Sequence, residues 1–280
     1  MFIWSGDPTA FTCFGLSIYW YGVIYALSLL SAWMVATWAL QKIRNGKQYL
    51  PILNTSIPSK EDFDKFMFFA IVWTVVGARL GHIIFFDLEY YIHHLHEVIL
   101  IRYGGLSFHG SVLALALYTY YFCKKNVVYW KIILDVLCLA GALGIGIGRL
   151  ANFVNQELYG KVCTSDFAVI FTLVDQLPRY PTQLFESFFE GFLNFWLLII
   201  IFRLKGLVII GTGMLTSIFC IVYSSARFVI EFYKEVETIT YFKCLSLTVG
   251  QILSLALFFF GIFVVHYQKY QNKHSDNGAK

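Results

Sequence analysis

The chain has 280 residues, of which 58% are hydrophobic and 14% charged, whereas ordinary soluble domains have about 45–50% and about 25%. This composition excludes a soluble globular protein and leaves room for about seven membrane-spanning helices of about 20 residues each. The net charge of +4 is spread along the sequence without forming a basic patch, so we expect no nucleic-acid partner.

Long apolar runs predict the membrane-spanning helices in chain order. They lie near 18–40, 66–86, 106–123, 131–153, 184–203, 207–230 and 246–266. We therefore expect an all-α integral membrane protein with about seven transmembrane helices. A single transmembrane domain would cover 1–268, and a polar cytoplasmic tail would cover 269–280. The connecting segments near 87–105 and 154–183 are long enough to lie along the membrane surface.

The distribution of lysine and arginine predicts the orientation of these spans. With the N-terminus outside, the inner loops and the tail hold thirteen basic residues and the outer segments hold five. Membrane proteins keep an excess of basic residues in their cytoplasmic loops. We therefore predict an outside N-terminus, a cytoplasmic C-terminus and surface segments on the outer face.

Polar residues inside the spans fall in their outer halves once this orientation is applied. Side chains three or four positions apart share a helix face. Three polar stripes follow, namely Arg149, Asn152 and Gln156, then Gln183, Glu186 and Glu190, then Tyr223, Arg227 and Glu231. A charge at the bilayer centre costs about 3 kcal/mol on insertion scales, so such residues normally face protein or a wet cavity. We expect an outward-facing polar cavity lined by arginines, although structural ion pairs such as Arg227 with Glu231 are an alternative.

The expected occupant of this cavity is an anion. The arginine guanidinium has a fixed fork of donors that matches a phosphate, and a phospholipid headgroup is the obvious phosphate at this depth. Glycines before Arg149 allow close backbone approach to a ligand or, equally, helix packing through Gly144 and Gly148. We expect no metal and no cofactor, because no histidine and carboxylate set has ligand spacing and the cysteines form no CxxC pair.

Six short sequence blocks stand out along the chain. They are YWYG at 19–22, GARLG at 77–81, GLSFHG at 105–110, GRLANFVNQELYG at 148–160, RYPTQLFE at 179–186 and RFVIEF at 227–232. Together, and in this order, they resemble the blocks of bacterial prolipoprotein diacylglyceryl transferases. The family commonly has glycine where Ser111 and Ala151 stand and often histidine where Tyr180 stands, while the charged positions match.

The resemblance implies an enzyme of the bacterial cytoplasmic (inner) membrane. It would move the diacylglyceryl group of phosphatidylglycerol onto the thiol of the lipobox cysteine of a prolipoprotein and release glycerol phosphate. Its partners would be phosphatidylglycerol, the surrounding membrane lipid and prolipoprotein signal peptides. The alternative class is a lipid transporter or scramblase without covalent chemistry, which would also carry buried charges but often shows repeated halves and midplane sites.

The resemblance also implies roles for individual residues. His109 is the candidate base for the thiol, and Arg149 and Arg227 are the candidates for stabilising the leaving phosphate. Tyr21, a further catalytic candidate, and Tyr223 would orient the thiol or the headgroup. The other expected substrate-binding residues are Asn152, Asn155, Glu157, Gly160, Gln183, Glu186, Glu231 and Arg79, the last being equally a candidate structural partner for a buried acid.

Overall fold

The computed structural model describes residues 2–13, 15–46, 57–85, 87–99, 107–126, 130–235 and 247–278, and most of them are helical. The α-helices are α1 (Trp20–Asn45), α2 (Lys60–Phe85), α3 (Leu88–His93), α4 (Phe108–Asn126), α5 (Trp130–Val154), α6 (Thr182–Phe185), α7 (Leu193–Lys205), α8 (Met214–Ile230) and α9 (Val249–Gly278). A π-helix (Glu186–Phe192) joins α6 to α7, and short 3-10 helices cover Leu95–Ile99, Gly206–Ile209 and Glu231–Tyr233.

Six helical stretches of the described residues are long and apolar enough to cross a membrane. They are Trp20–Asn45, Lys60–Ile84, Trp130–Val154, Thr182–Ile209, Met214–Tyr233 and Gly250–Tyr267. This confirms a multi-pass helical membrane protein. Helix α4, at the place of the predicted third span, is not among the six, since its nineteen residues include three tyrosines and two lysines. Helix α9 continues through most of the predicted polar tail, as far as Gly278.

The chain forms two compact units, one made of residues 1–39 and 134–280 and the other of residues 40–133. In the smaller unit, α2 and α4 approach at their backbones. A Cβ added to Gly81 would lie 2.6 Å from the Cα of Gly110, so only a small residue fits there. The Ser111 hydroxyl adds a hydrogen bond of 3.1 Å to the carbonyl of Thr74.

In the larger unit, α5 packs closely against the π-helix. The Ser187 hydroxyl donates to the Gly146 carbonyl at 2.6 Å, and a Cβ added to Gly191 would overlap the backbone of Gly146. The tight contact with the π-helix is thus at Gly146, while Gly144 and Gly148 pack against α1, as the sequence led us to expect for helix packing. An added Cβ at Gly144 would meet its nearest neighbours on α1 at ordinary van der Waals distance, 3.5 Å.

Within the described residues, five short strands lie outside the helices. They are β1 (Phe2–Trp4), β2 (Thr9–Cys13), β3 (Leu16–Tyr19), β4 (Val169–Phe171) and β5 (Pro178–Arg179). Strand β4 pairs in parallel with β1 and antiparallel with β5, while β2 and β3 form a hairpin. The all-α expectation thus holds for the spans and not for these segments. Strands of two to five residues are too short for an alternating pattern to reveal them.

Candidate active site

Two glutamates of the helical stretch after α6 form the centre of a charged cluster. The side chains of Glu186 and Glu190 are fully buried, at 0% exposure. The Nε of Arg149, near the end of α5, lies 3.3 Å from Glu186 Oε2, and its Nη2 lies 3.7 Å from Glu190 Oε2. The close contact of Gly146 with Gly191 brings the two helices together one turn before Arg149, which explains why the glutamates reach it.

Helix α8 supplies a second arginine to the same glutamates. Arg227 Nη1 forms an ion pair with Glu186 and lies 3.8 Å from Glu190 Oε1. Its Nη2 lies 2.9 Å from Glu231 Oε2, one turn further along the chain. The ion pair of Arg227 with Glu231, considered as a structural alternative from the sequence, is therefore present, and it belongs to a larger network.

Lys234 is the third cation of this cluster and was missed by the sequence analysis. Its Nζ donates to Glu186 Oε1 at 2.8 Å. The residue is 7% exposed, and burial lowers the pKa of its ammonium group while Glu186 opposes that effect. Lys234 follows Glu231 by three positions, so the spacing that grouped Tyr223, Arg227 and Glu231 would have extended to it.

The arginines lie on the accessible side of the cluster and the carboxylates lie behind them. The side chains of Arg149 and Arg227 are 19% and 17% exposed, whereas those of Glu186 and Glu190 are fully buried. Within the described part of the chain, Arg149 Nη1 and Arg227 Nε have no hydrogen-bond or ion-pair partner. The glutamates therefore hold the guanidinium groups in place and leave donors free for an anion.

A loop after α5 builds a second, differently charged part of the site. Glu157 accepts hydrogen bonds from Asn152 Nδ2 at 2.6 Å and from Asn155 Nδ2 at 3.2 Å. Gln183 Nε2 donates to the backbone carbonyl of Glu157 at 2.7 Å. The side-chain amides of both asparagines thus position the Glu157 carboxylate, which has no ion pair among the described residues.

The backbone of this loop has an unusual conformation. Gln156 and Leu158 both have a φ of 57°, in the left-handed region that non-glycine residues rarely adopt. The Gln156 side chain accepts a hydrogen bond of 2.9 Å from the backbone amide of Leu173. Such strain persists where surrounding contacts hold it, and it occurs often at functional sites.

Gly160 lies at the end of the loop, in tight packing. A Cβ added there would come 2.6 Å from the Tyr233 carbonyl oxygen and 2.7 Å from Tyr180. The Gly160 amide donates to the Tyr180 carbonyl at 2.9 Å. Gly160 is therefore packed against Tyr180 and Tyr233, which explains the need for glycine without requiring contact with substrate.

Two tyrosines complete the surroundings of the arginines. The ring of Tyr21 packs against that of Tyr25 on α1, with the ring centroids 4.7 Å apart, and Tyr21 lies within electrostatic range of Glu157 and Arg149. Tyr223 on α8 lies within electrostatic range of Arg149 and of the buried glutamates. The structure thus brings most of the predicted residues into one site of the larger unit.

The two other predicted residues belong to the smaller unit. Arg79 donates from Nε to the Val98 carbonyl at 2.8 Å and from Nη2 to the Glu97 carbonyl at 2.6 Å. Its guanidinium also stacks over the Tyr91 ring at 4.9 Å. Through these contacts Arg79 binds backbone and aromatic groups of α3 and of the 3-10 helix that follows it. His109 lies in the first turn of α4, and its side chain is outside the described residues.

Comparisons with known proteins agree with the resemblance of the sequence blocks. The family model described as prolipoprotein diacylglyceryl transferase matches residues 8–267. The phosphatidylglycerol–prolipoprotein diacylglyceryl transferase of Campylobacter lari is 35% identical, over 93% of each chain. The enzyme of Ehrlichia canis is 34% identical, over 96% of this chain and 98% of its own length. The enzyme of Bartonella quintana is 36% identical, over 97% of this chain and 93% of its own length. This chain belongs to the prolipoprotein diacylglyceryl transferase family.

Proposed function

We propose that this chain transfers the diacylglyceryl group of phosphatidylglycerol to the lipobox cysteine of prolipoproteins, the first step of lipoprotein maturation. The observation that carries this function is the pair of partly exposed arginines, Arg149 and Arg227, held by buried glutamates with donors left over for a phosphate. Membership of a family of transferases supports covalent transfer, and no observation favours a transporter or scramblase.

In the reaction, the cysteine sulfur forms a bond to the glycerol carbon of the diacylglyceryl group. The bond between that carbon and the phosphate oxygen breaks, and the electron pair leaves with glycerol phosphate. Arg149 and Arg227 would stabilise the charge that develops on the leaving phosphate, which is worth about 3–4 kcal/mol for one well-placed donor in other enzymes. The thiol proton must pass to a base, because a thiol with a pKa of about 8.5 is mostly protonated at neutral pH.

We assign that base role to His109, at the start of α4. The polar loop around Glu157, together with Tyr21 and Tyr223, would bind the free hydroxyls of the glycerol headgroup and orient the thiol. The Glu157 carboxylate can accept hydrogen bonds from the glycerol hydroxyls, and the neutral amides and tyrosine hydroxyls around it add directional hydrogen bonds.

We further propose that the site opens toward the outer leaflet of the cytoplasmic membrane. This requires an outside N-terminus and α4 as a seventh span. Its support is the excess of basic residues in the loops assigned to the cytoplasm. Substrate then enters sideways from the bilayer, and the signal peptide of a secreted prolipoprotein presents its cysteine at the same depth.

The test is a reaction of purified full-length protein with phosphatidylglycerol and a synthetic lipobox peptide in detergent micelles. Mass spectrometry should find the peptide heavier by one diacylglyceryl group, with glycerol phosphate released in equal amount. A peptide with serine in place of cysteine is the matched control and should stay unmodified. Lipid movement across vesicles with no peptide product would favour a scramblase and contradict the transferase.

A further inference from the structure

Helix α5 carries a buried carboxylate, Asp135, near its first residue, whereas Arg149 lies near its last residue. Asp135 has 0% exposure, and both of its oxygens accept hydrogen bonds from the start of α8. Oδ1 accepts from the Thr216 amide at 2.9 Å and from the Thr216 hydroxyl at 2.7 Å. Oδ2 accepts from the Gly211 amide at 2.9 Å and from the Gly213 amide at 3.3 Å.

These hydrogen bonds cap the N-terminus of α8, which has no capping side chain in its own sequence. The first backbone amides of a helix have no partner within the helix and are usually capped by a side chain just before it. The residue at that place is Gly213, with a φ of 84° and no side chain to cap with. Asp135 therefore caps α8 from a neighbouring helix, and its negative charge suits the positive end of the α8 dipole.

The cap lies on the helix faces that carry the site arginines. Arg149 follows Asp135 by fourteen positions, which is about 21 Å along α5 and nearly a whole number of turns. Arg227 follows Thr216 by eleven positions, which is about 17 Å along α8 and close to three turns. The face of α5 that binds α8 at one end thus presents Arg149 at the other, and the same holds for α8 and Arg227.

Polar contacts are needed to fix the position of α8 along α5, because apolar packing in lipid does little to prevent one helix from sliding along another. Lipid tails are as apolar as the helix surfaces, so a membrane helix is held by close packing and by polar contacts. Four directional hydrogen bonds to one carboxylate fix how far α8 can slide or rotate against α5. A shift of α8 would move Arg227 away from Arg149 and from Glu186, which both arginines share.

We propose that Asp135 is a positioning residue for the transfer reaction, which fixes α8 against α5 so that Arg149 and Arg227 meet at one phosphate. It touches neither substrate nor reacting atoms and acts through the two helices. The inference rests on the proposed function, since it assumes that the arginine pair binds the phosphate of phosphatidylglycerol.

The experiment compares Asp135→Asn with the control Ser217→Ala. The asparagine keeps the size of the side chain but directs an NH2 group at amides that need an acceptor. Ser217 is also fully buried at the start of α8, and its hydroxyl donates to the Gly261 carbonyl of α9 at 2.5 Å. The control therefore removes a buried hydrogen bond next to Thr216 that joins α8 to α9 instead of to α5.

Steady-state kinetics are measured on folded, monodisperse protein, with phosphatidylglycerol and the lipobox peptide varied separately. We expect Asp135→Asn to lower kcat/KM for phosphatidylglycerol by about 10- to 100-fold, since a misplacement of about 1 Å can have that effect. Its KM for the lipid should rise while its KM for the peptide stays unchanged. Ser217→Ala should leave both KM values as in the wild type.

Other outcomes separate the possibilities. A purely structural role for Asp135 would reduce the yield of folded protein and leave its KM for the lipid unchanged, which would overturn the proposal, as would equal effects of both variants. If Asp135→Asn does not fold, Thr216→Val removes one of the four donors, and an unchanged KM for the lipid in that variant also overturns it. An inactive wild-type protein in the same assay would instead contradict the proposed function.

Discussion

The two parts of the site are built on different physics. Around Glu186, three cations meet fully buried carboxylates, and the geometry is set by charge. Around Glu157, neutral amides from Asn152 and Asn155 hold a single carboxylate, and the geometry is set by a strained loop. Charge attraction tolerates small displacements but fails when a charge is removed, whereas the loop depends on each hydrogen bond. The first part suits an anionic phosphate and the second suits hydroxyl groups.

The largest expected effect is the loss of the forked donor at Arg149. Arg149→Lys keeps the charge but cannot contact both glutamates and a phosphate at once. We expect product formation in the peptide assay to fall about 100- to 1,000-fold, the effect of losing one well-placed donor in other enzymes, with the protein still folded. The matched control is Arg203→Lys, at an exposed position on α7, which should keep full activity. A near-normal rate for Arg149→Lys would remove this residue from the phosphate-binding role.

A comparison within the charged cluster tests which glutamate holds it together. Glu186→Gln removes the counter-charge shared by Arg149, Arg227 and Lys234. Breaking a buried ion pair in this way costs about 3–5 kcal/mol, so the apparent unfolding temperature in detergent should drop strongly.

The control for that experiment is Glu190→Gln. The Glu190 carboxylate makes only ion pairs of 3.7 and 3.8 Å and no hydrogen bond within the described residues. We expect a smaller drop in unfolding temperature than for Glu186→Gln. Equal drops would contradict the central place of Glu186 in the cluster.

The loop around Glu157 should respond more mildly. Glu157→Gln leaves one oxygen as an acceptor and places an NH2 group against the amide of an asparagine. The loss of one charge-assisted hydrogen bond corresponds to about 1.5–3 kcal/mol, and the KM for phosphatidylglycerol should rise because the loop no longer has one fixed geometry.

Two companion variants would sharpen that result. Asn155→Ala removes the longer of the two hydrogen bonds, at 3.2 Å, and Asn152→Ala removes the shorter one, at 2.6 Å. We expect Asn152→Ala to lower the unfolding temperature and to raise the KM for the lipid more than Asn155→Ala does. A reversed order would mean that Asn155 acts through something other than Glu157.

Much of the charged part was predictable from the sequence, because helix periodicity alone groups residues on one face. Arg227 with Glu231, and Glu186 with Glu190, follow from a spacing of four. Their mutual contacts were not predictable, since these depend on how α5, α8 and the π-helix pack, and the Gly146 to Gly191 approach that sets this packing joins distant parts of the chain.

The loop around Glu157 and the short strands could be predicted less well from the sequence. The left-handed backbone at Gln156 and Leu158 has no local signal, because neither residue is glycine or asparagine. Strand β1 pairs with β4 across most of the chain, and no periodic pattern reports a partner so far away. The motif resemblance implied substrate-binding roles for Glu157 and Gly160, but it did not indicate that one is held by asparagines and the other by tight packing.

The smallest effect is expected at Arg179, which supports the end of the loop at Gly160. Arg179 binds Asp175 at 2.6 Å and also contacts the Gly160 carbonyl at 3.4 Å, and this guanidinium lowers the pKa of Asp175. The pair therefore adds stability above the ordinary pKa of an aspartate, and this stability is lost as the pH falls through the lowered pKa.

An ion pair near the surface contributes at most about 1 kcal/mol to stability. Asp175→Asn should lower the unfolding temperature slightly at pH 7, and this difference should disappear as the pH falls through the lowered pKa of Asp175. Glu89→Gln, at an exposed position, is the control and should leave the unfolding temperature unchanged. An effect of Asp175→Asn that stayed constant across this pH range would show that Asp175 acts through its shape and not through its charge.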